Sequence, residues 1–375
     1  MFSVALKIIF YDKVRSLITL AGVVFAVALI FAQIGIYLGL METSSTIIDH
    51  TNGDIWITSR NSRNFDFSQP FPERKINQVL AAEGVKDAEK LIVTWGVIKQ
   101  KQGGTEQVEI VGYNPDTGIG GPWKMKTGHF KEVKNGNYVI IDESSMRRIG
   151  EFNIGDYREI LNKRLKVVGI SEDVKSFTTA PIIFTSYKTV QNLGSYVGTD
   201  NTVFIIASVE DGYSDKEVIN RLRKSLSNVD VYTKDEFSRK TRLYWTIETG
   251  VGLSFLITIL ISFLIGMLIV GQTIYNSTIE YLKEFGTLKA IGATNLNIYQ
   301  IIFSEALINA SIGYVIGLIF TLLSIKIYAA NEMVFTIKLW VALLVFFLSL
   351  IMCLSAAFFS VRKVRKIDPA LLFRG

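Results

Sequence analysis

Few side chains in this 375-residue sequence stand where chemistry would need them. A general acid or base must lie within hydrogen-bond reach of the proton it moves. The carboxylates between the first two apolar runs, among them Asp142, Glu143, Asp173 and Glu210, follow no spacing that pairs any two, so surface solvation is their default reading. His50 and His129 lie far apart without ligand spacing and read as ordinary polar residues. Cys353 is the sole cysteine, which excludes an internal disulfide and a cysteine-based metal site. The text nearest to a phosphate-cradling loop, GPWKMKTG over 121–128, has its residues in the wrong order. G-x-S-x-G and H-E-x-x-H do not occur. These observations predict no catalytic, cofactor or metal site in this chain.

One stretch does carry a pattern. Over 275–300 (YNSTIEYLKEFGTLKAIGATNLNIYQ), Glu280, Lys283, Glu284 and Lys289 stand among Ile279, Leu282, Phe285 and Leu288. The apolar members recur every third residue, so they drift slowly round one side of a helix and leave the charges on the other. Gly292 then permits a break. The chemistry on offer is docking. An amphipathic helix tethered at both ends to membrane spans converts movement of an outside partner into movement of those spans. The same spacing also suits a solvated loop that happens to be helical.

The elements that must hold this segment are long and apolar. Hydrophobic residues make up 49% of the chain and are concentrated in blocks. A helix needs about 20 residues to cross a hydrocarbon core of roughly 30 Å. Four runs are long enough, at 17–40, 247–275, 300–327 and 339–361. The expected class is a membrane α-helical protein with four transmembrane helices and an extracytoplasmic α+β domain between helices one and two. In order, this gives an interfacial amphipathic helix at 1–16, span and stalk at 17–43, and the domain at 44–232. Stalk and second span follow at 233–275, a cytoplasmic loop at 276–299, the last two spans, and a tail at 362–375. The first run is too long for a signal peptide and precedes no small-x-small site, so it reads as an uncleaved anchor.

The net charge of +6 would point to nucleic acid in a soluble chain, but here the bases crowd the span ends. They set orientation instead, and no nucleic-acid partner is expected. Three bases precede the first span, and Arg362, Lys363, Arg365 and Lys366 follow the last, which places both termini inside. Lys234, Arg239, Lys240 and Arg242 disagree, lying before the second span on the outer side. Long domains translocate largely regardless of charge.

Strand-like runs, rich in β-branched and aromatic residues, lie at 55–58, 92–99, 106–113, 138–142, 164–168, 182–185 and 203–209. Helical patterns lie at 73–82 and 215–227, the latter with Ser214 or Asp215 as N-cap. The segments 37–50 and 233–249 can continue as helices beyond the bilayer and form a stalk. Tyr244, Trp245, Tyr328 and Trp340 are placed for an outer aromatic belt. Glu305 lies about a turn inside the third span, where an ionisable group must face protein or water. With no second acid or histidine to continue a relay, a structural hydrogen bond to the neighbouring loop is expected. Gly313 and Gly317 form a G-x-x-x-G, which permits close helix contact but is frequent by chance.

The text EFGTLKAIGAT at 284–294 resembles the signature of the MacB/FtsX superfamily of ABC transporter permeases, as does the ending KIDPALLF at 366–373. The span order agrees. Within the superfamily the chain is most similar to the DevC-like permeases, through GDIWI at 53–57, Tyr244-Trp245, and Leu288-Lys289-Ala290. Gly292-Ala293-Thr294 follow the general form rather than the DevC-like one.

The resemblance implies a type VII ABC permease without an ATPase of its own. A separate ATPase, holding ATP and Mg, would dock beneath two copies of the chain, a homodimer in the cell inner membrane. The helix around Glu280, Leu282, Lys283, Glu284, Phe285, Leu288, Lys289 and Gly292 would be the coupling helix. Its apolar side, Leu282, Phe285 and Leu288, would fit a groove on the ATPase, with Glu280 and Glu284 pairing with bases there. Asp368 and Pro369 would help fix the tail against the same partner. ATP-driven closure would pass through the stalk to a periplasmic domain that meets a membrane-fusion adaptor and an outer-membrane channel. The work would be mechanotransmission, with a membrane lipid or small amphiphile driven outward. Lipoprotein extraction like that of LolC/E, FtsX-like signalling and a membrane-anchored sensor are the alternatives.

Overall fold

The computed structural model describes Lys7, Tyr11 and residues 13–101, 103–175, 180–330 and 334–364. Most of the expected 1–16 helix, and the tail residues Asp368 and Pro369, lie outside the described residues. The chain divides into two compact units, Met1–Gly39 with Val251–Gly375, and Leu40–Gly250.

The first unit holds the four expected spans, as helices Lys13–Ser44, Val251–Glu280, Asn295–Ala330 and Leu339–Val364. Each is nearly free of charge in its middle and contains no proline, so nothing interrupts the backbone ladder that a bilayer requires. Their packing relies on small residues. A Cβ added to Gly313 would lie 2.4 Å from Val23 Cγ1, and one on Gly317 would lie 2.7 Å from Val27 Cγ1. The G-x-x-x-G is therefore a contact between the third and first spans, with two valines one turn apart seated on two bare turns. Val270, Ile274, Ala306 and Met352 extend this core. Along the second span, Leu253, Leu256, Leu260, Leu264 and Leu268 form an uncovered stripe.

The second unit is built on a mixed sheet. Its strands are β1 (Ile55–Ser59), β2 (Phe71–Pro72), β3 (Val85–Lys99), β4 (Thr105–Tyr113), β5 (Met125–Thr127) and β6 (Tyr138–Asp142). They continue with β7 (Tyr157–Ile160), β8 (Lys163–Ser171), β9 (Ile182–Ser186), β10 (Asn201–Thr202), β11 (Phe204–Val209) and β12 (Val229–Thr233). The order is β12-β1-β11-β3-β4-β9-β6-β8-β5, with β7 against β3 and β8, and β10 with β2 forming a separate pair. β4–β9 and β6–β8 are parallel and the other pairs antiparallel. All seven strand-like runs are strands. The unforeseen ones are short or, like β12 and β5, sit at the sheet edges where charge is tolerated.

β1 is buried along its whole length because both its faces are covered. Trp56 points into an aromatic cluster with Phe65, Phe204 and Phe237. Ile55 and Ile57 point the other way, into a core with Val218, Ile219 and Leu222 of the helix Asp215–Ser225. That helix begins after Ser214, whose side chain makes no capping hydrogen bond.

The returning segment differs from the expected stalk. Helix Lys234–Leu243 is followed by a π-helical turn at Tyr244–Glu248, and the backbone turns at Gly250, φ +74°. A positive φ suits glycine and does not continue a right-handed helix. The outer unit therefore takes in residues 233–250, expected as stalk.

Candidate functional site

The segment between the second and third spans is a helix, Leu282–Ala290, set off from the second span at Tyr281. Its far end is closed by local chemistry. Ala293 N donates to Leu288 O at 2.9 Å and Gly292 N to Lys289 O at 3.0 Å, with Gly292 at φ +104°. A left-handed glycine just past the last turn satisfies carbonyls that the helix leaves open. Thr294 then starts the third-span helix, its Oγ1 accepting from Asn297 N at 3.4 Å.

The two sides of this helix face differently from the expectation. Phe285 is 6% exposed and belongs to the core of the four spans, and Leu288 packs against that core. Leu282 is half-buried. The apolar side thus covers the chain's own spans and does not stand ready for a groove on a partner. Periodicity identifies an apolar face without saying what covers it, and the nearest apolar surface was intramolecular. What is presented outward is Lys283, Glu284, Thr287 and Lys289, with Ile291 at 78% exposure. Leu296, at 69%, adds a second uncovered apolar side chain.

Glu280 also differs from the expectation. Its carboxylate accepts from Arg15 Nη2, at the head of the first span, in an ion pair within this chain. The same guanidinium stands 6.0 Å from the Tyr281 ring centre. Glu305 is 9% exposed and faces protein, as an intramembrane acid must. Among the described residues no loop group hydrogen-bonds to it; Arg15 supplies an opposite charge that acts on it. Arg15 is the functional residue that sequence reasoning missed. It was one of the three bases before the first span, where it read as an orientation charge.

In the outer unit, Tyr244 and Trp245, which the sequence placed in an outer aromatic belt, are half-buried and make contacts within the unit. Trp245 Nε1 donates to Asp66 Oδ2 at 3.0 Å, and Tyr244 and Trp245 both pack on the Phe67 ring. Asn64 Nδ2 donates to the same Asp66 oxygen at 2.9 Å. Burial pushes the Asp66 carboxyl up to about 6 against these donors. Asp142 is likewise raised by burial, and it accepts from Ser144, Ser171 and Val174 N. Each acid is engaged by donors rather than by a second carboxylate. His50 stacks on Trp123 with ring centres 4.4 Å apart, and His129 caps a short 3-10 turn. Among the described residues no group of three could hold a metal ion.

Two clefts open on the outer unit. One, of about 460 Å³, is lined by Glu89, Lys90, Asn114, Lys134, Tyr187 and neighbours. Its Lys90 is committed to Glu73 at 3.0 Å and lies over the Tyr187 ring. The other, of about 680 Å³, lies between Arg63 and the helix Lys234–Leu243 with the turn that follows it.

Comparison with known proteins supplies what this geometry leaves open. Residues 16–225 match the model of the MacB-like periplasmic core domain, and residues 251–369 match that of the FtsX-like permease C-terminal domain. An uncharacterized ABC transporter permease of Mycobacterium tuberculosis (strain ATCC 25618 / H37Rv) is 25% identical over 382 residues, 99% of each chain. A second from the same strain is 24% identical over 374 residues, again 99% of each. One from Methanocaldococcus jannaschii is 25% identical over 239 residues, 60% of this chain and 58% of that one. The crystal structure of the periplasmic region of MacB from Actinobacillus actinomycetemcomitans is 16% identical, covering 51% of this chain and 94% of that one with a TM-score of 0.39.

Proposed function

The chain belongs to the MacB/FtsX family of ABC transporter permeases, and from that premise we propose that it transmits the ATP-driven motion of a separate ATPase to its outer unit. The family implies an ABC ATPase partner, and this chain is a multi-pass membrane protein. The observation that carries the reading is the outward side of the helix Leu282–Ala290. Lys283, Glu284, Lys289 and the bare Ile291 stand between two spans and are exposed among the described residues. An exposed apolar side chain ringed by polar ones has the arrangement of an interface centre and its rim.

Force applied there meets a helix whose other side is locked into the spans by Phe285. The push is therefore delivered to the ends of the second and third spans rather than dissipated in a loop. Both termini and this helix lie in the cytoplasm, and the outer unit lies on the far side. Two copies of the chain share the work, and the leucine stripe on the second span offers an apolar face for the second copy. In this reading a lipid or small amphiphile is moved outward, with a membrane-fusion adaptor and an outer-membrane channel completing the path, as in DevC-like relatives.

The test is a mild-detergent pull-down of the full chain from its native membranes, with every partner identified. An ATPase together with an adaptor supports the exporter. An ATPase with a second, unlike permease and no adaptor replaces it with lipoprotein extraction. Recovery without any ATPase overturns the proposal.

A further inference from the structure

Four bases stand shortly before the second span, and three of them are committed within the outer unit. Arg242 Nη2 donates to Asp49 at 2.5 Å and its Nε to Ser45 Oγ at 2.8 Å. Lys234 Nζ donates to Thr51 O at 3.0 Å. Lys240 lies 4.7 Å from the Tyr232 ring centre and donates to its hydroxyl at 2.7 Å. Arg239 has no such partner among the described residues. Neither has Arg63, and both are exposed. The two line the same cleft of about 680 Å³.

The rest of that cleft has an amphiphilic order. Leu243 and Ile247 line it and are 43% and 69% exposed. Arg239, Leu243 and Ile247 follow one another at four-residue steps, so the cation leads and the apolar side chains follow toward the chain's entry into the membrane. The second span begins at Val251, four residues after Ile247. Four residues reach at most ~14 Å even when fully extended, so the apolar end of the cleft is tethered within that reach of the first residue of the span. Glu248 lines the same end.

We propose that this cleft seats the headgroup of a phospholipid from the leaflet on that side. Its phosphate sits on Arg63 and Arg239, and its acyl chains run along Leu243 and Ile247 toward the span. A guanidinium binds phosphate through paired N–H donors, and two of them flank one site here. Of the acids that line the cleft, Glu236 is engaged by Arg223 and the Thr233 backbone N–H, and neither Asp235 nor Glu248 forms an ion pair with Arg63 or Arg239 among the described residues. A soluble anion would need the arginines but not the apolar pair, and an apolar partner would need the reverse. A phospholipid needs both. The site holds whether the lipid is resident or cargo, and it needs no ATPase.

The experiment is native mass spectrometry of the full chain, purified in neutral detergent, delipidated and titrated with dioleoyl-phosphatidylglycerol or dioleoyl-phosphatidylethanolamine. The R63A/R239A variant should retain its first lipid about ten-fold less tightly, the effect of losing charge-assisted hydrogen bonds. Dioleoylglycerol, with the same tails and no phosphate, should not displace the bound lipid, and glycerophosphate, with no tails, should displace it only weakly. The conservative R63K/R239K pair should keep part of the affinity. Should R63A/R239A unfold early, Ile247→Ser at an exposed position gives a second reading and should also lose retention. Equal lipid retention by wild type and both variants overturns the site. So does equal retention of dioleoylglycerol, or a loss of dimer mass with lipid unchanged, which would make the cleft a contact between copies.

Discussion

Arg15 and Glu280 are 265 positions apart in sequence and form an ion pair that joins the head of the first span to the last residue of the second. The pair sits where the second span hands over to the helix Leu282–Ala290. It therefore ties the start of the proposed coupling helix to the head of the first span. Arg15 is largely covered, at 16% side-chain exposure, while Glu280 is 63% exposed. A half-solvated pair contributes little to stability, about 0–1 kcal/mol. Its importance lies in geometry.

Reversing this pair should separate geometry from stability. R15E or E280R alone should lower ATPase-coupled transport severalfold, E280R with thermal unfolding nearly unchanged because Glu280 is the exposed partner. The double swap R15E/E280R should restore most of the coupling. Coupled hydrolysis in proteoliposomes is the readout, and a swap no better than either single change would remove Arg15 from the site.

The two sides of the helix Leu282–Ala290 should respond oppositely to mutation if it is the coupling helix proposed above. Ile291→Asp should keep the fold and weaken co-purification of the ATPase by an order of magnitude, since an exposed apolar anchor contributes roughly 1.5–3 kcal/mol once buried. Phe285→Ala should instead destabilise the membrane unit by about 3–5 kcal/mol, the usual cost of emptying a buried aromatic site. Detergent-resistance melts and pull-downs of the two variants check this. An unstable Ile291→Asp or a stable, ATPase-free Phe285→Ala would reverse the assignment of the faces.

Gly313 and Gly317 should tolerate no larger residue. Gly313→Val and Gly317→Val would place side chains on Val23 and Val27, where a Cβ alone already lies 2.4 and 2.7 Å from the valine methyls. Overpacking of this kind typically costs about 1–3 kcal/mol. Val23→Ala combined with Gly313→Val should recover part of the melting temperature. No recovery would show that the two spans do not meet there.

Asp66 should make the outer unit less stable as pH rises. Its carboxyl titrates at about 6, above its ordinary 3.8, so the folded chain holds a proton that the unfolded chain releases more readily. That contribution is complete below about 4 and is lost as pH climbs through about 6. Asp66→Asn keeps an acceptor for the Trp245 indole and removes the titration. Its melting temperature relative to wild type should therefore rise between pH 5 and 7.5, by the equivalent of ~1–3 kcal/mol. Parallel pH profiles for the two proteins would contradict this.

The sequence by itself determined the large divisions of this protein. Four apolar runs long enough to cross a bilayer read as spans, and short runs of β-branched and aromatic residues such as IWIT at 55–58 read as strands. The inner-loop text was enough to identify the family. Tertiary structure decided which surface each patterned side chain meets. Phe285 lies in the bundle rather than on an open groove, Glu280 on Arg15 rather than on a partner, and the Trp245 indole on Asp66. Periodicity and charge are local properties of a chain, whereas each of these partners arrives from a distant segment. Of the four bases before the second span, Asp49, Thr51 and Tyr232 came within reach of three, and Arg239 has no such partner among the described residues.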